Sequence, residues 1–454
     1  MVPHLVTALN GPINELEQHV LDAMPAIERW FRLEWMEHTP PFYCAADLRN
    51  AGFKLAPVDI ELYPEGWDHL SEDMLPLAVQ AAQAAIEKIC PEARNLLLVP
   101  RNRAHTDNFY LRNLVQLMRI FQNAGLNVRL GSIDPALRTA KKIKLPDGQV
   151  VQLDPVIRSK RRLELKHFDP CTIVLNNDLA SGIPGILEEL NEQYLLPPLH
   201  ASSVVRRKSN YLRCYDELTK RFGKLLGIDP WLIDRQNMHA KTGDLTQAGA
   251  LDALAQSCDA VLAKIRRKYK EYRIREKPFV TIQADGSGKE GTVLTLHDAR
   301  EIAALDRQTR ARLSARPMSS IDGEDDGPQD HEEIPSFVVQ EGVPNGERIH
   351  DNVAEPVVYM MDRYVVGGLY RIHAQQQQPA SDKRSGLSAP AGRKDGAHFV
   401  PLAFSERPHL PQPGAKPGAS VPNRFYMYGV LARLAMVAVS YELEATDPDA
   451  ETYA

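Results

Sequence analysis

Residues 354–374, AEPVVYMMDRYVVGGLYRIHA, constrain the fold of this chain more than any other stretch. Val357, Val358, Tyr359, Met360 and Met361 make one apolar run, and Tyr364, Val365 and Val366 make another. Asp362 and Arg363 separate them. Two runs rich in β-branched and aromatic residues around a short polar break predict a hairpin. Gly367 and Gly368 allow a bulge or a close approach to a ligand. Glu355, Asp362, Arg363, Arg371 and His373 lie on or beside the ribbon. A buried sheet carries that much charge only where the charge is paired or used. Two readings stand: a central hairpin with charged edges, or the floor of a phosphate and metal site.

With 454 residues the chain exceeds one small core, so two or three domains are expected. A net charge of -5 gives no general reason to expect nucleic acid as a partner. Cys44, Cys90, Cys171, Cys214 and Cys258 are odd in number and lack CxxC spacing, which argues against a disulfide framework or structural zinc and for a reducing cytoplasm. The N-terminal residues show no basic segment before an apolar core, and no stretch is long enough to span a membrane.

Residues 13–31 have apolar positions at helical spacing and predict one helix. Residues 40–59, PPFYCAADLRNAGFKLAPVD, read as a Gly-containing, Pro-flanked loop. It is either a solvated turn or a loop that receives an amino acid. In the second case Arg49 and Lys54 suit a carboxylate, and Asp47 or Asp59 suits an ammonium. From residue 74 the pattern is helix, strand (96–99), loop, helix (109–124), strand (128–131), which predicts a parallel sheet. The loop after the first of these strands offers Arg101, Arg103, His105, Thr106 and Asn108 as ligand-facing candidates, with a helix cap by Thr106 or Asp107 explaining part of the polarity. A later strand, 172–175, ends in Asn176, Asn177 and Asp178 before SGIPGIL, which is read as opening a helix.

Residues 204–210, VVRRKSN, put three cations before an amphipathic helix. Cations there oppose the helix macrodipole, whereas a phosphate among them gains from both cations and amides. A second amphipathic helix ends in the basic run KIRRKYKEYRIREK, read as a solvated helix end. Strands at 279–283 and 293–296 flank ADGSGKEGT. This is neither a Walker A loop nor a dinucleotide fingerprint, but it fits a flap whose amides cover phosphates. Residues 316–335 are acidic and poor in apolar side chains, and are read as a mobile insertion.

Taken together, ERWFRLEW, PPFYCAADLRNAGFKLAPVD, ICPEARNLLLVP, FDPCTIVLNNDLASGIP, YLLPPLHA, VRRKSN, LLGIDPW, AEPVVYMMDRYVVGG, AHFVPLAF and NRFYMYGVLARLA resemble the proteobacterial glutamate–cysteine ligase family, with an ATP site of the ATP-grasp class. The resemblance spans nearly the whole chain. It implies an α/β fold, with a Rossmann-like N-terminal domain followed by an ATP-grasp-like pair of α+β lobes. The corresponding segments are a substrate domain (1–200), a small lobe with the Gly-rich flap (201–310), the acidic insertion (311–336) and a large lobe (337–454). It also implies ATP-dependent ligation of the glutamate γ-carboxylate to the cysteine amine through an acyl phosphate, with Mg2+, in the cytoplasm. The partners are then small molecules, with neither nucleic acid nor membrane, and a homo-oligomer stays open.

Carried onto this sequence, the resemblance makes Lys208 the phosphate cation and Arg371 the group that stabilises the transferring phosphoryl. Gln283, Ser287, Gly288 and Lys289 belong to the flap over the nucleotide. Gln340, Glu341 and Val343 belong to a hinge gripping adenine. Glu355, Asp362 and Asn423 become metal ligands, and Arg49, Asn50, Lys54, Asn176 and Asn177 become substrate contacts. Departures from the pattern are specific: Gln283 stands where the family carries a lysine, residues 237–249 lack its cysteine, phenylalanine and glutamate, and Ser388 stands for an asparagine. Lys289 is the candidate to replace the lysine charge. A related ligase with other substrates, or a non-catalytic nucleotide-binding paralogue, stays open beside the main reading.

Overall fold

The structure is a computed structural model, and it describes all residues except 1–4, 7–11, 103–106, 248, 287–292, 315–334, 350–351, 374–386, 389–396, 403–423 and 451–454. The predicted hairpin is present as strands Asn352–Met361 and Tyr364–His373, with Glu355 opposite Arg371. Asp362 turns the chain at φ 48°, a left-handed conformation that Asp tolerates better than most residues. The register shifts between Tyr359 and Met360, opposite the two glycines. Those glycines serve packing: a Cβ on Gly367 would lie 2.7 Å from Met74 Sδ, and one on Gly368 would lie 2.5 Å from Leu402.

Residues 40–59 correct the loop reading. They form strands Tyr43–Asn50 and Leu55–Glu61, an antiparallel pair that docks on the first hairpin strand. The physical reason is period two: Cys44, Ala46 and Leu48 enter one core while Asp47 and Arg49 face the other way. Counting charges across the stretch hid that alternation. The resulting order is Leu55–Glu61, Tyr43–Asn50, Asn352–Met361, Tyr364–His373, Ala397–Pro401, with Arg348–Ile349 and Leu5–Val6 added at one end of the hairpin.

The expected parallel strands form a second sheet. Tyr194–Leu196, Thr172–Asn176, Asn95–Pro100, Asn127–Ser132 and Val150–Pro155 run parallel, with Lys141–Lys144 antiparallel at the edge. Helices Leu75–Ile89 and Asn108–Asn123 fill the space between this sheet and the long hairpin, in one core with Val357, Tyr359 and Leu369. Asp107 caps the second helix by accepting from the Phe109 and Tyr110 amides. After residue 178 only a three-residue 3-10 turn, Gly185–Leu187, appears where a helix was expected, since Pro184 and two glycines interrupt the run. The N-terminal helix is likewise two helices, Pro12–Asp22 and Met24–Glu37, the second opening on Pro25.

A third, antiparallel sheet has the order Asn237–Lys241, Ser336–Glu341, Val280–Ala284, Val293–Leu296, Leu387–Ser388. One face buries Phe337, Val339, Val280 and Ile282 against Leu254, Cys258, Val261 and Ile265 of helix Ala250–Glu271. Register then puts Asn237, His239, Thr281, Gln283 and Gln340 on the opposite face. Helix Lys208–Leu226 packs with the closing helix Arg424–Ala445 in the largest core. No described helix is long and apolar enough to cross a membrane.

Candidate active site

Four charges alternate across adjacent strands at the polar end of the large sheet. Arg371 clasps Asp47 through two hydrogen bonds, Nη1 to Oδ2 at 2.7 Å and Nη2 to Oδ1 at 3.2 Å. Its Nη1 also lies 3.9 Å from Glu355 Oε2. Glu355 in turn accepts from Arg49 Nε at 2.9 Å. Asp59 stands opposite Asp47 in the register. The charged-edge reading and the site reading of the hairpin thus meet: the charges are paired, and the pairing gathers Arg49, Glu355 and Arg371 at one place.

The second element of the site is the start of helix Lys208–Leu226. Its three cations do different things. Arg206 is held by Glu442 of the closing helix at 2.6 and 3.1 Å. Arg207 folds back, its Nη1 donating to the Val204, Val205 and Arg206 carbonyls. Lys208 reaches across to both sheets: its Nζ lies 3.5 Å from Asp59 Oδ1 on the large sheet and 3.4 Å from Gln283 Oε1 on the third sheet. Desolvation pushes the Lys208 ammonium below its usual range, and Asp59 opposes that. Desolvation also pulls the Asp59 carboxyl up, but Lys208, Arg206 and Arg235 together outweigh it and hold it below the ordinary carboxylate range. The helix amides carry a built-in anion. Asp285 accepts from the Ser209 amide at 2.7 Å and the Ser209 hydroxyl at 2.5 Å, and lies 3.3 Å from His239 Nε2.

Other predicted site residues are placed in the framework. Lys54 and Glu341 are fully buried and bonded to each other at 3.0 Å. Glu341 also accepts from Trp231 Nε1 and from the Gln236 amide, while Lys54 Nζ sits 4.1 Å from the Trp231 ring centre. The backbone proposed to grip adenine is a central strand: Gln340 pairs with Asn237 on one side and Thr281 on the other. Past it, the Gly342 amide donates to Phe279, and the Val343 side chain is buried. The Gln340 side chain is different, since its Nε2 is buried without a partner. Asn50 bonds Glu347 and the Gly52 amide. Asn176 is enclosed by Tyr43, Pro64 and Asn113, and Asn177 makes an Asx turn to Leu179. Arg101 is tied to Glu65 and Asp107.

Asp362 is not brought to this site. It lies seven positions along the strand from Glu355, which at strand rise is about 23 Å, and its neighbours are Lys88 and the Phe42 carbonyl. Ser287, Gly288, Lys289 and Asn423, with Arg103, His105 and Thr106, lie outside the described residues. Among the described residues no three His, Cys, Asp or Glu side chains gather around one point. Asp47, Asp59 and Glu355 offer oxygen donors singly, each paired with a cation, and do not form a cage. They suit a hard cation carried chiefly by phosphate oxygens.

Sequence reading missed Asp285, His239, Tyr211 and Arg235. The first two become visible once residues 237–241 are recognised as a strand beside 336–341. Arg235 carried no local signal.

A glutamate–cysteine ligase family model matches residues 17–443. No curated protein matches the chain. Among solved structures, a protein of Methylobacillus flagellatus KT with the provisional description γ-glutamylcysteine synthetase is 45% identical, with a TM-score of 0.84. The match covers 98% of this chain and 100% of that one.

Proposed function

The chain belongs to the glutamate–cysteine ligase family, and from that premise we propose which of its residues carry the reaction. The protein joins glutamate to cysteine in glutathione synthesis, and enzymes of this family use ATP and a divalent metal. An amide from a carboxylate and an amine needs the carboxylate oxygen to leave as a better group than hydroxide. Phosphorylation of the glutamate γ-carboxylate supplies one, and the cysteine amine then displaces phosphate from the acyl carbon. Such phosphoryl transfer rests on positioned positive charge more than on a covalent nucleophile.

One observation carries the assignment: Lys208 bridges the two sheets, reaching Asp59 on one and Gln283 on the other. ATP lies between the polar face bearing Thr281, Gln283 and Gln340 and the polar end bearing Asp47, Asp59, Glu355 and Arg371. Lys208 holds its phosphates. Gln283 is uncharged and accepts from Lys208, so the cation at this point of the sheet comes from the helix instead of the strand. Gln340, with an unused buried amide nitrogen, is placed to meet the nucleotide base. Arg371 exchanges Asp47 for the transferring phosphoryl, and Arg49 orients the glutamate. Asp59 and Glu355 would hold Mg2+, which neutralises charge on the phosphate oxygens when bound. We read the two antiparallel sheets as ATP-grasp-like lobes, the small one (201–310) completed by strands Ser336–Glu341 and Leu387–Ser388 and the large one built mainly from the rest of 337–454, and the parallel sheet within 1–200 as Rossmann-like. The hairpin 43–61 then belongs structurally to the large lobe. A cytoplasmic setting fits the need for ATP.

The test is phosphate release from ATP and Mg2+ with glutamate, with and without cysteine, and mass identification of the product. The wild-type protein is expected to yield γ-glutamylcysteine. Lys208→Met is expected to lower kcat about 100- to 1,000-fold with thermal stability retained. A Lys208→Met enzyme turning over at the wild-type rate would remove the bridging lysine from the mechanism.

A further inference from the structure

Arg235 is a largely buried cation with no carboxylate within ion-pair distance among the described residues, and Asp59 and Asp234 act on it only from farther away. It sits between the 3-10 turn Pro230–Leu232 and strand Asn237–Lys241, and is 7% exposed. Its guanidinium makes one hydrogen bond, Nη2 to the Val58 carbonyl at 3.1 Å. The neighbouring carboxylate, Asp234, is turned elsewhere, accepting from Thr219 Oγ1 and from the Arg235 backbone amide. The contrast with other enclosed arginines is direct: Arg206 has Glu442 and Arg371 has Asp47. A guanidinium offers five donors in a planar fork, and those of Arg235 not used on Val58 stay within reach of solvent in a largely buried side chain, open to a ligand.

A second observation points the same way. The Tyr211 hydroxyl, one turn into helix Lys208–Leu226, is buried with no hydrogen-bond partner among the described residues. Arg235 and Tyr211 act on each other electrostatically, and Asp59, Asp234, Arg49 and Lys208 are the charged groups that face Arg235. An orphaned hydroxyl and a guanidinium with free donors therefore stand together beside the proposed catalytic face. A planar fork plus a hydroxyl matches a carboxylate, which takes two parallel N–H bonds and a third donor.

We propose that Arg235 and the Tyr211 hydroxyl form a subsite for the α-carboxylate of an amino-acid substrate. This rests on the ligase reading above. Lys208 serves the phosphates, so the second anion site serves the amino acid, whether glutamate or cysteine.

The experiment uses the full-length enzyme and the variants Arg235→Met, Arg235→Lys and Tyr211→Phe. KM is measured for glutamate, cysteine and ATP separately. Thermal midpoints are recorded without ligand, with glutamate alone and with cysteine alone. Arg235→Met is expected to raise KM for one amino acid by at least about 30-fold, and Tyr211→Phe to raise KM for the same one about fivefold. KM for ATP should stay within about twofold of wild type in both, because the removed contacts are carboxylate contacts. Ligand-free stability should hardly fall, since a guanidinium without an ion pair or an unpartnered hydroxyl has been removed, and the thermal shift given by that amino acid should vanish. Arg235→Lys should fall between.

A rise confined to the ATP KM would make this a phosphate site and overturn the proposal. Loss of ligand-free stability in Tyr211→Phe, with amino-acid KM unchanged, would assign the pair to the framework and overturn it too. A wild-type enzyme without ligase activity would defeat the underlying reading; an active wild type with indistinguishable variants would defeat this inference alone.

Discussion

Lys54→Met separates a framework role from a substrate role at one position. Lys54 and Glu341 are both 0% exposed and joined at 3.0 Å. Removing the ammonium leaves a buried carboxylate with the Trp231 indole and the Gln236 amide as its donors. Breaking a buried pair from one side costs about 3–5 kcal/mol. The two remaining donors place Lys54→Met toward the lower end, near about 3 kcal/mol, because each charged hydrogen bond retained still offsets part of the desolvation. Glu341→Gln removes the counter-charge, leaves the ammonium with a neutral amide oxygen and the Trp231 ring at 4.1 Å, and falls at the upper end. The double variant, Lys54→Met with Glu341→Gln, leaves neither charge stranded, so it should be more stable than Glu341→Gln alone. Urea unfolding followed by tryptophan fluorescence reads this directly, with Trp231 inside the cluster. Full stability in Lys54→Met, combined with a raised KM for glutamate, would refute the framework assignment and return Lys54 to the substrate.

Two further outcomes follow from local geometry. Gly342→Ala would put a Cβ 1.9 Å from the Phe279 ring; it should cost about 1–3 kcal/mol in urea unfolding, and Phe279→Leu in the same chain should recover part of it. Asp234 has its carboxyl raised to about 6 from 3.8, chiefly by burial. Its folded form therefore binds a proton more tightly than its unfolded form, so its contribution to stability is present below about pH 4 and is lost as pH rises through about 6. Asp234→Asn should remove that decline, a difference of at most about 3 kcal/mol between pH 4 and pH 7, and identical pH–stability curves for the two proteins would contradict it.

The hairpin, the parallel strands and both amphipathic helices were legible because each repeats its pattern over several residues. Residues 43–61 were not, because their alternation is masked by a Gly-containing turn and by prolines at either side. Within the site, Lys208 and Arg371 were legible as cations beside a helix start and on a charged ribbon. Lys54 and Arg235 show the limit. Both are buried basic residues with little in the local sequence to tell them apart. One bonds Glu341, 287 positions away in sequence, and the other has no carboxylate within ion-pair distance among the described residues. Partnership across such distances is a property of topology, and periodicity carries no trace of it.

The clasp between Asp47 and Arg371 spans 324 positions of sequence. During synthesis strands Tyr43–Asn50 and Leu55–Glu61 emerge early, and strand Asn352–Met361, with which the first of them pairs, emerges far later. For most of translation the nascent chain holds an unpaired edge, a template for wrong partners. The Asp47–Arg371 and Arg49–Glu355 pairs thus form only once residues 352–373 have emerged. A chain stopped before them would already carry Asp59, Lys208 and Gln283, yet lack the two ribbon residues that complete the face.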